Sequence, residues 1–331
     1  MIQISERTGR CQAHTWRVVL LSLVLGTASC ASNEPRTLRI AANPWPGFEY
    51  FYLAQELGFF REEGLDVRLV EQTSLRDSRR VYVRGLVDGL LATPTDVAAL
   101  EIEGGRRVVV RQVFDGSYGG DVIIARDPFR TMQDLRGKRI AIEQGLGNYF
   151  LARALQISNM RPDDVEVVDR PYSAAAESLC DGTVDAIHAY PPTLEQLAKM
   201  TDVQFHIVFT SKKLPDEILD LLIVDPVVAV ERGDDLDRLE RGYDRAVHFT
   251  ADKPEVAMRI MADREGISPE AFANFLRSDL RMIQPQDRAA YLTTGGPVAV
   301  AIQRSHEILS KYREVKHAVA GTATAPLLDA P

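Results

Sequence analysis

An internal repeat is the sequence feature that most constrains the fold of this chain. Four short segments recur in the same order about one hundred residues later, at offsets between 97 and 100. The paired segments are 38–41 with 138–141, 50–54 with 149–152, 67–70 with 165–168, and 85–88 with 182–185. One such match is an ordinary coincidence, but four in series indicate two copies of one structural unit.

Each copy has the pattern strand, helix, strand, helix, strand. The first copy begins with an apolar strand at 39–42 and a helix at 48–57, and the second has a strand at 139–143 and a helix at 148–156. This alternation predicts parallel sheets with helices on both faces, and ligands bind outside the carboxyl ends of such strands. The repeat therefore predicts an α/β protein of two Rossmann-like lobes with a ligand cleft between them.

The N-terminus has the layout of an export signal. Three arginines precede a nine-residue apolar run at 18–26, and small residues then lead to Cys30. This run is too short to span a bilayer as a helix, so we predict a cleaved signal peptide over 1–29. The junction resembles a bacterial lipobox, although Thr27 replaces the usual leucine or valine. We expect lipidation of Cys30, and cleavage nearby without a lipid is the alternative.

These signals divide the chain into six segments. The predicted segments are a signal peptide (1–29), a lipid-anchored linker (30–37), the first part of lobe 1 (38–118), lobe 2 (119–215), a return to lobe 1 with C-terminal helices (216–317), and a disordered tail (318–331).

Charge and cysteine usage exclude several classes of function. The formal net charge of −8 argues against a nucleic-acid partner. Removal of Cys11 with the leader and lipidation of Cys30 would leave Cys180 alone, without a disulfide or a cysteine metal cluster. No metalloprotease, nucleophile-elbow or P-loop motif is found in the sequence. We therefore predict no metal, no cofactor and no catalytic activity.

Six motifs along the chain resemble one known class of proteins. They are WPGFE (45–49), LAQELGFF (53–60), GLVD (85–88), DLRGKRI (134–140), GTVDA (182–186) and REGISPE (264–270). In this order they are similar to the nitrate/sulfonate/taurine class of ABC-transporter substrate-binding proteins, a group that includes thiamine-pyrimidine precursor binding proteins.

The resemblance implies a type II periplasmic-binding-protein fold, in which two crossovers join the lobes and closure traps a small molecule. The implied protein is an exported monomer, held to the membrane only by its lipid, that delivers a solute to an ABC permease and its ATPase. A lipoprotein that senses a ligand for a signalling partner is an alternative. An enzyme on the same fold is another, but the cysteine-rich iron motif of the related pyrimidine-precursor synthases is missing.

The loops at the strand ends supply the candidate ligand contacts. These candidates are Trp45, Glu49, Tyr50, Thr93, Thr95, Asp96, Asp115, Tyr118, Asn148, Tyr149, Tyr190 and Glu217. Gly119 and Gly120 lie where the first crossover is expected, and we predict that they form the hinge.

Structural roles remain open for several of these residues. Trp45 would otherwise cap the core of lobe 1, and Glu49 would complement a helix dipole. Thr95 or Asp96 would cap the helix that follows them. We expect His188 to be a core histidine.

The charge of these loops predicts the class of ligand. They hold several carboxylates and contain no lysine or arginine, whereas a site for a simple oxyanion is expected to present one of these. Helix N-termini alone also hold anions, so the oxyanion alternative stays open. Because aromatic rings and carboxylates suit cations, we expect a neutral or cationic ligand that is planar or bears an amine.

Overall fold

Two β-sheets organise the computed structural model, which describes residues 36–104, 107–191, 193–200 and 204–322. The predicted signal peptide and Cys30 lie outside the described residues. Among the residues described, no helix is both long and apolar enough to cross a membrane.

The first sheet has six strands in the order β11-β4-β10-β3-β1-β2. Its strands are β1 (Leu38–Ala42), β2 (Val67–Glu71), β3 (Gly89–Ala92), β4 (Val109–Ser117), β10 (Leu219–Val224) and β11 (Leu280–Met282). Strand β1 is parallel to β2 and β3, whereas β10 is antiparallel to β3 and β4. The carboxyl ends of β1, β2 and β3 therefore lie at one edge of this sheet.

The second sheet has five strands in the order β7-β6-β8-β5-β9. Its strands are β5 (Val122–Arg126), β6 (Arg139–Ile142), β7 (Glu166–Asp169), β8 (Ala186–Ala189) and β9 (Phe205–Thr210). Strand β6 is parallel to β7 and β8, as β1 is to β2 and β3. The repeat in the sequence thus corresponds to two similar parallel units.

The described helices surround both sheets. Those of the first half are α1 (Glu49–Glu56), α2 (Phe59–Glu62), α3 (Leu75–Val83), α4 (Pro94–Gly104), α5 (Leu146–Ile157), α6 (Tyr172–Cys180) and α7 (Thr193–Met200). Those of the second half are α8 (Pro226–Glu231), α9 (Gly233–Asp252), α10 (Pro254–Glu265), α11 (Pro269–Ser278), α12 (Pro285–Tyr291) and α13 (Pro297–Thr322).

Local sequence explains where several helices begin. The hydroxyl of Ser74 accepts a hydrogen bond from the amide of Asp77 at the start of α3, and Ser268 does the same for Ala271 at the start of α11. Pro269 is the first helical residue of α11, where its missing N–H leaves no bond unmade.

The last helix is longer than its sequence pattern indicated. We placed a disordered tail from residue 318, but α13 continues through residues 318–322. Two of these five residues are alanines, which have the highest intrinsic helix propensity. Residues 323–331 lie outside the described residues.

Two crossovers lie side by side between the sheets. One joins β4 to β5 and the other joins β9 to β10. The hydroxyls of Ser117 and Ser211 are 2.8 Å apart, and the amide of Gly119 donates to Ser211 Oγ at 2.6 Å. Gly119 has φ of +125°, a conformation that a side chain would strain. The crossover predicted from the glycine pair is therefore present at this position.

Candidate ligand site between the lobes

A cavity of about 20 Å³ lies between the two sheets. Its walls come from both lobes and from both crossovers, and consist of Asn43, Trp45, Phe48, Leu75, Thr93, Asp121, Leu146, Tyr190, Ile218 and Asp220. A second cavity of the same size shares Leu75, Leu146 and Tyr190 with the first. A volume of about 20 Å³ holds about one water molecule.

Two predicted aromatic contacts meet across this cleft. The rings of Trp45 and Tyr190 lie 6.1 Å apart at 72°, and Trp45 also meets Phe275 edge-on at 5.5 Å. Tyr190 stacks flat on Tyr172, with ring centroids 3.9 Å apart and planes inclined by 6°. These rings form an aromatic wall around the first cavity, contributed by both halves of the repeat.

Gly120 allows Trp45 to reach this position. A Cβ atom at residue 120 would lie 2.8 Å from the Trp45 ring and 2.9 Å from the Phe275 ring. Only glycine leaves room for both rings against the crossover. The predicted hinge residue therefore also supports the aromatic wall.

Two buried carboxyl groups, Asp115 and Asp220, face each other behind this wall. They are register partners on β4 and β10, and their exposed fractions are 0% and 3%. Burial raises the pKa of Asp115 to about 6, and burial together with the neighbouring Asp115 charge raises the pKa of Asp220 well above its ordinary value. The indole N–H of Trp45 lies beside both carboxyls and lowers the pKa of each, against the effect of burial. Two carboxylates this close and this dry do not both ionise near neutral pH, so they share a proton.

A third buried carboxylate, Asp121, is paired with a histidine. Its Oδ1 lies 3.1 Å from Nε2 of His188, and both side chains are buried. The imidazole also packs against Phe150, with ring centroids 4.7 Å apart. Asp121 lines the first cavity and His188 the second. His188 is thus buried as expected, but it belongs to the wall of the cleft.

Side chains of the protein occupy the helix N-termini of the cleft. At the start of α4, the Asp96 carboxylate accepts from the amide and the hydroxyl of Thr93, each at 2.8 Å, and pairs with Arg79. At the start of α5, Asn148 Oδ1 accepts from the amide of Gly145 at 3.0 Å. The helix-cap interpretation therefore accounts for Asp96, and Asn148 has a corresponding role at the start of α5. An anion at the start of α4 would meet the Asp96 carboxylate.

Glu49 lies beside the cleft in an ion-paired cluster. Its carboxylate accepts from Arg264 Nε at 3.0 Å, and the Arg264 guanidinium stacks on Tyr52 at 3.5 Å. Burial and the neighbouring Glu265 charge raise the pKa of Glu49 to about 8, and burial raises that of Glu265 to about 7. Glu49 is therefore engaged by its own lobe and does not line either cavity.

Three other predicted contacts are not among the residues that line either cavity. Tyr50 packs in the core of lobe 1, with its ring 5.8 Å from that of Tyr243. Thr95 faces α13, and its hydroxyl lies 3.2 Å from the Ser305 hydroxyl. Tyr118 is 44% exposed beside the crossovers. Tyr50 and Thr95 are thus engaged within lobe 1, and a ligand contact by any of these three residues stays a prediction.

Tyr149 and Glu217 meet in a network that joins the lobes. Glu217 accepts from the Tyr149 hydroxyl at 2.6 Å, from Arg153 at 2.7 and 2.8 Å, and from Arg304 at 2.6 Å. Burial opposes ionisation, but these hydrogen bonds hold the pKa of Glu217 below its ordinary value. We call Tyr149, Arg153, Glu217 and Arg304 the bracket, because it connects α5 of lobe 2 to α13 of lobe 1.

Three wall residues and two arginines were not singled out by the sequence analysis. They are Asn43, Asp121 and Asp220 in the wall, and Arg79 and Arg264 beside it. Asp220 interrupts the otherwise apolar, fully buried strand β10, which was a usable signal. Among the described residues, no group of three metal-ligating side chains is placed to hold a metal ion.

Residues 45–257 match the NMT1/THI5-like family. The chain belongs to this family. The predicted class of proteins, which includes thiamine-pyrimidine precursor proteins, is thereby confirmed.

Relatives in this family differ in their assigned activities. A protein of Brucella abortus (strain 2308) that carries the provisional name of a binding protein is 23% identical over 75% of this chain and 78% of its own length. A 4-amino-5-hydroxymethyl-2-methylpyrimidine phosphate synthase of Saccharomyces cerevisiae is 26% identical over 47% of this chain and 46% of its own length.

The fold is shared with solved binding proteins. The alkanesulfonate-binding protein of Xanthomonas axonopodis pv. citri, solved with bound MOPS, superposes with a TM-score of 0.71 at 18% identity, covering 85% of this chain and 94% of that one. The periplasmic-binding-protein fold predicted from the sequence is confirmed.

Proposed function

We propose that this protein is an extracytoplasmic solute-binding protein that captures a small molecule between its lobes and delivers it to an ABC importer. The family membership, the fold and the cleft lined by both lobes support this proposal. Small-molecule sites are typically concave, with a few polar groups among aromatic walls, and this cleft has that character.

The ligand we propose is a neutral or cationic molecule that is planar or bears an amine. The observation that carries this choice is the buried Asp115–Asp220 pair beside the aromatic wall. A negative site bounded by Trp45 and Tyr190 favours cations and planar rings and repels oxyanions.

Lobe closure is the step that retains the ligand. Contacts from both lobes exist only in the closed state, so a ligand that makes them shifts the equilibrium towards closure by its differential affinity. We place the hinge at the two crossovers, where Gly119 and Gly120 lie. The closed form then docks on the permease, and ATP hydrolysis takes place in a partner subunit.

We propose export and lipid attachment at Cys30 from the sequence of the leader. Labelled palmitate should be incorporated into the wild-type chain expressed in a bacterium and not into the Cys30→Ser variant. Export of an unlabelled, cleaved wild-type protein would support cleavage without a lipid and overturn the anchor.

We propose a binding role rather than catalysis, although yeast relatives are named synthases. Burial and the neighbouring Asp181 charge raise the pKa of the Cys180 thiol, which makes it a poor nucleophile. His188 is committed to Asp121 and to Phe150. Consumption of a captured solute by the isolated protein would overturn this assignment.

Calorimetry on a ligand panel tests the proposed ligand class. The chain has two tryptophans, Trp16 and Trp45, so Trp45 alone remains after removal of the leader and reports on the cleft. We expect aminopyrimidines or aromatic amines to bind and to change the Trp45 fluorescence. Tight binding of nitrate or an alkanesulfonate, with no response to amines, would refute the ligand class.

Reconstitution tests delivery to a transporter. The ligand-loaded protein should stimulate ATP hydrolysis by its permease and ATPase in liposomes, whereas the double variant Asp115→Asn with Asp220→Asn should not. A protein that binds ligand but stimulates no transporter would favour the sensor alternative.

A further inference from the structure

No basic side chain of the described residues is ion-paired with the Asp115–Asp220 pair, although the Arg288 charge lowers the pKa of Asp115. Both carboxyls are buried, and a Cβ atom at residue 47 would lie 2.6 Å from both Asp115 oxygens. Asp220 lines the first cavity. The backbone of Gly47 therefore closes one side of the pair, and the cavity borders the other.

The ionisable groups packed around the pair are engaged elsewhere or neutral. These groups are Tyr50 on α1, Asp121 on the first crossover, His188 on β8, Tyr243 on α9 and Arg288 on α12. His188 is paired with Asp121 at 3.1 Å, and Arg288 is paired with Asp244 at 2.7 Å. Within the described residues, no basic side chain forms an ion pair with Asp115 or Asp220.

A shared proton gives such a pair a single negative charge. A second ionisation would place two carboxylates in contact without water or a counter-ion, which is strongly unfavourable. Retention of one proton leaves one carboxylate, and the protonated carboxyl donates a hydrogen bond to it. The amide oxygen of Asn43, which is also buried without a partner, adds a further acceptor at the same cavity.

We propose that the Asp115–Asp220 pair selects a ligand with a single positive charge and N–H donors, and that it keeps its shared proton when that ligand binds. This inference rests on the proposed function and narrows its ligand class from neutral or cationic to monocationic. Asp115 and Asp220 are then specificity-determining residues. They are redundant in charge, because the loss of either carboxyl leaves one carboxylate in place.

Guanidinium chloride and urea are matched probes for this selection. Both are small and planar and carry N–H donors, but only guanidinium is charged. We expect Trp45 fluorescence to report guanidinium binding at least tenfold tighter than urea binding, with ionic strength held constant by NaCl. Asp220→Asn and Asp115→Asn should each retain this preference, and the double variant should lose it.

Calorimetry in buffers of different ionisation enthalpy gives the proton count at pH 7.5. We expect close to zero protons released for each guanidinium bound. Four results would each overturn the inference. They are no binding of guanidinium, equal affinity for urea and guanidinium, loss of the preference for guanidinium in either single variant, and release of one proton for each guanidinium bound. The ligand panel tests the proposed function separately. If an amine binds in that panel but the protein does not prefer guanidinium to urea, this inference fails and the proposed binding function remains supported.

Discussion

Replacement of Asp220 by asparagine should stabilise the protein in a manner that depends on pH. In the folded protein the Asp115–Asp220 pair retains one proton near neutrality, whereas both carboxyls ionise in the unfolded chain. The wild-type protein must therefore take up a proton to fold at pH values between the ordinary aspartate pKa and the raised pKa of Asp220. An asparagine amide takes the place of the protonated carboxyl and donates to Asp115 without that cost.

The magnitude follows from proton linkage. A native state that holds one more proton than the unfolded state loses about 1.4 kcal/mol of stability for each unit that the pH rises. The folded pKa of Asp220 is raised, so this loss runs from the unfolded pKa upwards towards the folded pKa. Over the pH range in which the folded pair keeps its proton, the free energy of unfolding of the variant should gain about 1.4 kcal/mol per pH unit relative to wild type.

Urea unfolding followed by circular dichroism at pH 6, 7 and 8 measures this difference. Asp163→Asn is the matched control, because Asp163 is exposed and the same substitution there should leave the wild-type slope unchanged. Parallel pH profiles for the wild-type protein and Asp220→Asn would refute the shared proton, and with it the single negative charge of the pair.

Three further substitutions test the wall, the crossover and the bracket. Trp45→Phe should keep the fold but weaken ligand binding about tenfold, because it removes the indole from the aromatic wall. Calorimetry measures this affinity, and an unchanged value would exclude Trp45 as a ligand contact. Gly120→Ala should lower the melting temperature and shift the Trp45 fluorescence emission, because the added Cβ would lie 2.8 Å from the Trp45 ring. The control Gly104→Ala should have neither effect, because a Cβ at residue 104 would meet no atom within 4 Å. Glu217→Gln should lower the free energy of urea unfolding by about 1–3 kcal/mol and increase the radius of the protein in small-angle scattering, because two arginines lose their shared carboxylate. The control is Glu255→Gln, at an exposed position. If both variants give the same unfolding curves and scattering profiles, the bracket does not hold the lobes together.

The two-lobed fold was predictable because the repeat records it directly. Segments 38–41 and 138–141 became the first strands of two parallel units, β1 and β6, in separate sheets. The positions of Trp45 and Tyr190 were also predictable, since loops after parallel strands lie at one edge of each sheet.

The direction of a side chain at the start of a helix was not predictable from its position in a strand-end loop. Each helical residue turns by about 100°, so Thr95 faces α13 although Thr93, two residues earlier, lines the cavity. Tyr50 follows Glu49 into α1 and points into the core for the same reason. A contact prediction for a helix start requires the direction of the helix, which the sequence alone does not supply.

Side-chain partners that lie far apart along the chain were also not predictable from the sequence. Asp220 reaches Asp115 because β10 returns antiparallel beside β4, more than one hundred residues later. Arg79 and Arg264 lie outside the strand-end loops, but Arg79 pairs with Asp96 and Arg264 pairs with Glu49. These arginines are compatible with the proposed acidic cleft, because each already pairs with a carboxylate, whereas no arginine of the described residues is ion-paired with Asp115 or Asp220.

Native mass spectrometry of the protein purified without unfolding tests the central claim most directly. The solute retained in the cleft should be a single small molecule with a basic nitrogen, and the double variant Asp115→Asn with Asp220→Asn should lose it. Retention of nitrate, a sulfonate or another oxyanion by the wild-type protein, undiminished in the double variant, would contradict the account.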